Sequence, residues 1–600
     1  MTRLRGPRRE VPAPGSGAAI PRPPARLLRL ARPYRGGLVR GALCVVVANL
    51  IALAQPQVLR FAVDDLYRGV TAVKLGQYAV ILFLVAVGAG VFKYLMRQLV
   101  IAISRHVEFD LRNLLFEHLE RLPATWFQEH RTGEIMSIAT NDMAAVRTML
   151  GPGVMYTVNT LTVGVVSIGF MIAISPRLTF VSLLPLPLVS LSVWYFGDRI
   201  HRRFERVQER FAKLSGHVQE NLAGMRVVRA FVAERRESER FHELNDEYMG
   251  ENLGLIRASG FFSPSLALFS GAGALLALWI GGREAVAGRI TLGQFVAFTV
   301  YLGMLNWPMV ALGWVINIFQ RGLASFGRIA AILDETPSIA SPPGAPRIGA
   351  ARGELEFRHL TYTYPGAATP ALRDVSFSVP AGGTVALVGR TGCGKSTVLA
   401  LLPRAFDPPP GTVFLDGVDV REWDLAVLRA QLAVVPQDPV LFSATVAENI
   451  AYGVPELDEV AVRRVAGLAR LDGDIEGFPS GYATRVGERG ITLSGGQKQR
   501  AAIARALLRP APVLLLDDCL SSVDTQTEEA ILGGLRGEMR RRTTLLVSHR
   551  VSTVREADLI LVFEDGEVVE RGRHDELLAL GRRYAALHRA QQLEEEIEAS

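Results

Sequence analysis

The sequence predicts two structural classes in one chain: an α-helical membrane part of six spans with long polar extensions, then an α/β domain. Three observations carry this. The first half holds apolar stretches of about 20 residues, the length that crosses a bilayer core of about 30 Å. The second half sets short apolar runs between helix-patterned segments, as a layered α/β domain does. Within it "VALVGRTGCGKSTVLALL", residues 385–402, reads as a strand, a glycine loop and a helix.

A chain of 600 residues is too long for one core. Its residues are 49% hydrophobic and 21% charged, with mean hydropathy +0.22, which suits a membrane part joined to a soluble one. The net charge of +7 is mostly arginine. No basic motif with interleaved aromatics accompanies it, so nucleic acid is not an expected partner; cytoplasmic loops beside anionic lipid explain the excess better. The three cysteines, Cys44, Cys393 and Cys519, have no spacing that suits zinc or a disulfide framework. Residues 1–24, rich in Pro, Arg and Gly, read as a disordered tail, and no apolar run of a secretory signal comes before Leu38.

Spans are expected near residues 38–59, 78–101, 154–174, 178–196, 264–280 and 294–318. Only "SPR" separates the third from the fourth, so those two form a hairpin. The segments after the second and fourth spans are long, charged and apolar at helical spacing. They read as helices running on out of the membrane, cytoplasmic by their arginine content. Loops on the other face are short, which puts both termini inside the cell, in a multi-pass protein of the inner (cytoplasmic) membrane. Lys93 and Arg97, one turn apart in the second span, either snorkel to the interface or face a cavity. Asn49, Gln57, Asn159 and Asn306 either line a pathway or make packing hydrogen bonds.

A Pro/Gly-rich linker, "DETPSIASPPGAPRIGAARG", leads into the second half. There Gly389-x4-Gly394-Lys395-Ser396 is the P-loop pattern, whose backbone N–H groups close around phosphates. Lys395 would reach the β/γ-phosphates of ATP, and the Ser396 hydroxyl would ligate Mg2+. Gln437, in "VVPQDPVLF", follows a short strand, where its amide can touch Mg2+ or the attacking water. "LSGGQKQR", residues 493–500, puts a serine and two glycines ahead of a helix, a second anion-binding corner. "VLLLDDCLSSVD", residues 513–524, reads as a buried strand ending in Asp517, the Mg2+-side carboxylate, and Asp518. "LLVSHR" ends another strand at His549, and Tyr364 in "YTYPG" either stacks on adenine or simply packs.

In this order these motifs resemble the nucleotide-binding domain of ATP-binding cassette transporters, over about residues 353–587. The whole chain resembles a half-transporter of the exporter type with the type IV fold. The resemblance rests on Tyr364, the P-loop from Gly389 through Thr391, Gly392, Cys393, Gly394, Lys395 and Ser396 to Thr397, Gln437, "VGERG" at 486–490, "LSGGQ", Walker B Asp517, "SSVD" at 521–524 and His549. In the membrane half, residues 126–142 and 220–231 resemble the family's coupling segments, less sharply. The organisation this implies is a tail at 1–24, a six-span domain at 25–333 with coupling segments near 124–142 and 220–231, a linker at 334–352, a cassette with its signature subdomain at 353–587, and a tail at 588–600.

The resemblance implies a dimer in which Ser494, Gly495, Gly496 and Gln497 of one chain face the ATP held by the other. It also marks Asp518 as a departure, because the family's usual residue there is glutamate. With Gln437 and His549 as its catalytic neighbours, a carboxylate one methylene short loses reach to the attacking water. Such a group is worth about 10²–10⁴-fold. The expectation is a subunit that binds Mg-ATP, hydrolyses it slowly, and lends its signature to a different partner chain bearing glutamate, in an exporter of amphipathic drugs, lipids or peptides. A homodimeric lipid flippase, a non-pumping ATP-gated regulator or channel, and an importer remain open at this point.

Overall fold

The structure, a computed structural model, describes residues 26–27, 29–30, 32–345, 349–487, 493–521, 523 and 525–599. The expected tail at 1–24 lies outside these residues, as do residues 488–490 of "VGERG" and Ser522 and Asp524 of "SSVD". The chain divides into two units: residues 1–120 with 132–335, and residues 121–131 with 336–600.

The first unit is helical. Among the described residues six helices are long and apolar enough to cross a membrane: Arg32–Arg68, Ala72–Leu119, Thr132–Ile174, Pro176–Ala223, Glu234–Val286 and Leu292–Asp334. Each contains one of the expected spans. They overrun the spans because the polar flanks keep helical spacing; the second, at 48 residues, measures about 70 Å at 1.5 Å per residue. Their apolar side chains largely face outward, as at Phe83, Leu84, Val165 and Leu268. That is the arrangement of helices solvated by lipid, whose backbone bonds close within each segment.

Local chemistry sets the corners. At "SPR" the Ser175 hydroxyl caps the next helix by accepting from the Leu178 N–H at 3.2 Å, with Pro176 opening the first turn. The same hydroxyl donates to Glu284 at 2.9 Å, which ties this corner to the fifth helix. Asp64 accepts from the Thr291 hydroxyl and the Gly293 N–H, both at 2.8 Å. A Cβ on Gly293 would lie 2.1 Å from the Arg60 carbonyl, so only glycine permits this approach. Gln57 donates to the Tyr301 hydroxyl at 3.1 Å and Asn306 accepts from Ser270 at 3.1 Å, so both make packing hydrogen bonds. Lys93 and Arg97 line a cleft of about 510 Å3 with Asn49 and Asn159.

The second unit holds two sheets. Strands β1 (Leu355–Tyr362), β2 (Leu372–Val379), β4 (Val413–Leu415) and β5 (Val418–Asp419) form an antiparallel sheet in the order β2-β1-β4-β5. Strands β3 (Thr384–Gly389), β6 (Leu432–Val435), β7 (Val513–Asp517), β8 (Thr543–Val547), β9 (Leu559–Glu564) and β10 (Glu567–Gly572) form the order β10-β9-β3-β8-β7-β6. All its pairings are parallel except β9–β10. The parallel strands are apolar on both faces because both are covered: Val385 and Leu387 enter one core, Ala386 and Val388 the other. The segment expected as a C-terminal tail is helical within Arg583–Ala599.

Candidate nucleotide site

Ligands of parallel α/β sheets sit beyond the carboxyl ends of the strands. Here β3, β6, β7 and β8 all deliver predicted residues at that edge. Beyond it lies a cavity of about 300 Å3. Tyr364, Thr391, Gly392, Gly394, Lys395, Ser396, Thr397, Gln437, Asp518 and His549 line it, together with Ala371 and Val547.

The loop after β3 turns because its glycines can. Gly394 has φ +100°, and a Cβ there would lie 2.6 Å from the Ala371 carbonyl. Gly389 approaches the Phe563 carbonyl so closely that its Cβ would lie 2.3 Å away. Lys395 is buried, and its ammonium donates to the Gly389 and Arg390 carbonyls, each at 2.8 Å, with Cys393 Sγ 3.6 Å away. A cation thus sits under the loop where phosphate charge would gather. Gly389 and Cys393 shape the loop from behind and do not line the cavity.

Ser396 donates to Asp517 Oδ1 at 2.8 Å. Burial pushes the Asp517 carboxyl above the usual range; the Ser396 hydrogen bond opposes this, the neighbouring Asp518 charge adds to it, and Lys395 opposes it. A hydroxyl beside a half-buried carboxylate, with exposed Gln437 on the cavity wall, is an oxygen-only donor set. That set fits Mg2+, which keeps several waters and shares its shell with phosphates. No cluster of three or more His, Cys, Asp or Glu occurs among the described residues.

Asp518 stands at φ +44°, a left-handed backbone unusual for a side-chain-bearing residue. Its N–H donates to the Val547 carbonyl at 2.9 Å, and its carbonyl accepts from the Ser521 hydroxyl at 3.0 Å. Its carboxylate lies 2.9 Å from His549 Nδ1, and this hydrogen bond raises the imidazole pKa above its ordinary value, against the effect of burial. Sequence reasoning missed what holds His549. Gln591, on the C-terminal helix, accepts from the Val551 N–H at 2.8 Å and donates to the His549 carbonyl. No local motif announces that contact.

Tyr364 packs edge-on against Phe406, with ring centroids 5.1 Å apart, and its hydroxyl meets that of Thr397 at 3.0 Å. Cys519, behind the site, is fully buried and its thiol is pushed up to about 12. The signature residues Ser494 to Gln497 do not line this cavity. Ser494 caps the helix Gly495–Leu508 in a capping box with Gln497, and the Gln497 amide also donates to Asp474 at 2.8 Å.

Residues 38–309 match the family model described as ABC transporter transmembrane region, and residues 372–521 that described as ABC transporter. The multidrug resistance-like ATP-binding protein MdlA of Escherichia coli is 38% identical over 94% of this chain and 95% of its own length. The probable multidrug resistance ABC transporter ATP-binding/permease protein YheI of Bacillus subtilis is 37% identical over 92% and 94%. An ATP-dependent lipid A-core flippase of Aromatoleum aromaticum is 36% identical over 95% and 96%. The solved structure of a bacterial Atm1-family ABC exporter with ATP bound superposes with a TM-score of 0.76 at 29% identity, covering 93% of this chain and 99% of that one.

Proposed function

Since the chain belongs to the ABC transporters, as a half-transporter of the exporter type with the type IV fold, we propose that it is one subunit of an exporter of amphipathic compounds whose own Walker site binds Mg-ATP but hydrolyses it slowly. Multidrug and lipid-flipping relatives support the cargo class. In this reading Lys395 and the loop N–H groups hold the phosphates, Tyr364 flanks the base, and Ser396, Gln437 and Asp517 hold Mg2+. The bound ion would neutralise charge developing on the transferred phosphoryl group.

The observation that carries slow hydrolysis is the fixation of Asp518. A side chain one methylene short can recover its reach only if its backbone moves toward the water. Here the N–H and carbonyl of Asp518 are both bonded, and its carboxylate is already engaged by His549. A shift has to break these bonds, so the shortfall persists and costs about 10²–10⁴-fold in turnover. The signature is intact in sequence and does not line this chain's cavity, which suits a role in a partner's site. The partner we propose is a second half-transporter with glutamate at the position of Asp518.

The test is Asp518→Glu in the chain expressed alone, in lipid. A subunit that needs a different partner stays nearly inactive in ATP hydrolysis, and both forms gain activity only when that partner is added. The second reading, a homodimeric lipid flippase, is favoured by the flippase relative and predicts a gain in the chain alone. Brisk hydrolysis by the unmodified chain alone overturns the slow-site reading.

A further inference from the structure

The fourth and fifth long helices of the membrane unit build a second cavity. Arg199, Arg202, Arg203 and Arg206 recur at three- and four-residue intervals in Leu186–Ala223, so they share one face. Across from them Glu234–Val286 presents Gly250, Gly254 and Ala258, four residues apart, together with Arg257. These residues, with Phe196 and Phe261, line an open slot of about 600 Å3.

Arginines beside a membrane are common, but there they ordinarily spread toward water and lipid head groups. These five also reach solvent, four of them being exposed, but all of them line the one slot. Two carboxylates answer them: Glu251 lies 3.2 Å from Arg203 and 3.8 Å from Arg206, and Asp198 pairs with Arg202. Arg199 lies over the Tyr195 ring, 3.8 Å from its centroid, and Arg257 has no carboxylate partner among the described residues. Three positive charges are therefore left over in one slot. Glycine sets its shape: a Cβ on Gly254 would lie 2.7 Å from Arg203 Nη1, whereas Gly250 has nothing within 4 Å. One guanidinium thus rests against the helix backbone, and one turn away the slot stays open.

We propose that this slot binds the phosphate head of an anionic amphiphile, with Phe196 and Phe261 receiving the start of its apolar tail. Guanidinium forks match phosphate oxygens two at a time, and a dianion relieves the repulsion among like charges. The order along the helices fits such a molecule. Phe196 closes the expected fourth span and Phe261 precedes the fifth, so the aromatic end faces the membrane and the arginines lie beyond it. As a choice of cargo class this rests on the exporter reading; as a binding site it does not.

The full chain in nanodiscs of neutral phosphatidylcholine, without ATP, is titrated calorimetrically with dodecyl phosphate, dodecyl maltoside and inorganic phosphate. Dodecyl phosphate is expected to bind saturably and more weakly as salt rises. The double variant Arg199→Gln, Arg257→Gln, which breaks no ion pair among the described residues, is expected to bind it about ten-fold more weakly or worse. Gly250→Phe, which puts a ring into the slot at a position where a Cβ meets nothing within 4 Å, is expected to abolish binding and keeps the test valid should the double variant misfold. Unchanged binding in both folded variants, or equal affinity for dodecyl maltoside, overturns the proposal. Equal affinity for inorganic phosphate overturns the amphiphile in favour of a free-anion site. Accumulation of dodecyl phosphate in inside-out vesicles given ATP is measured separately; its absence with binding intact refutes export and leaves the slot standing.

Discussion

Gln591→Leu removes the side chain that bridges the two backbone groups flanking Arg550, and the structure sets the size of the effect. Gln591 accepts from the Val551 N–H at 2.8 Å and donates to the His549 carbonyl. A net hydrogen bond is worth about 0.5–1.5 kcal/mol, and a buried donor left without a partner costs about 1–3 kcal/mol. Val551 is buried, so its N–H pays the larger penalty, while His549 is exposed and water replaces its partner. The expected cost is about 1–2 kcal/mol, confined to the loop after β8, which corresponds to about 5–30-fold faster local opening. Hydrogen–deuterium exchange on peptides spanning residues 548–555 reads it directly, with peptides from β3 and β7 as internal controls. In the Asp518→Glu background, with whatever partner supports turnover, kcat falls by a similar factor while KM for ATP stays within about two-fold. Unchanged exchange at Val551 refutes the clamp. Faster exchange with unchanged kcat refutes its role in holding His549.

The nucleotide-free chain loses stability as pH rises through two windows. Asp517 and His549 both have folded pKa values above their ordinary ones, so each contributes stability that is complete below the unfolded value and lost as pH climbs through the folded one. Thermal unfolding against pH checks this: Asp517→Asn removes the step above the usual carboxylate range, and His549→Gln the step above the usual imidazole range. Arg328→Ala strands the buried carboxylate of Asp142, which accepts from Arg328 Nε at 2.8 Å, and lowers Tm; the exposure of Arg328 holds the loss to about 1–2 kcal/mol. Cys519, buried with its thiol pushed up to about 12, stays unmodified by N-ethylmaleimide at neutral pH in the folded chain, read by mass spectrometry, and reacts only after unfolding.

What the sequence made legible is what local rules determine. The six spans follow from apolar length, and every one lies inside a long helix. The overrun of those helices follows from helical spacing in the charged flanks. Strand ends were legible too, because a fully buried parallel strand must stop where polar residues begin: Asp517 ends β7, and His549 stands two residues past β8. The pairing of elements distant in sequence was not legible. Ala371 and Val547 carry no chemistry of their own and join the cavity only because neighbouring strands put them there. Gln591 lies in a stretch whose composition reads as a solvated tail, and 42 residues separate it from the carbonyl it holds.

The arginine slot makes the same point from the other direction. Read along one helix, residues 199–206 are an ordinary basic stripe, and read along the next, Gly250, Gly254 and Ala258 are an unremarkable set of small residues. Neither stripe predicts a site by itself, because a basic face is usually solvated and a small-residue face usually packs. Facing each other they create what neither encodes alone: guanidinium groups held near a bare backbone, with room beside them and too few carboxylates to neutralise them. Replacing Glu251 by glutamine therefore separates structure from function within the slot. It removes the carboxylate nearest Arg203 and Arg206, so it lowers the stability of the empty protein and at the same time tightens dodecyl phosphate, because one negative charge no longer competes for those two cations. A purely structural arginine network loses stability on that substitution and gains nothing. Paired thermal and calorimetric measurements on Glu251→Gln decide between the two, and a variant that is destabilised without binding more tightly rules out the anion slot.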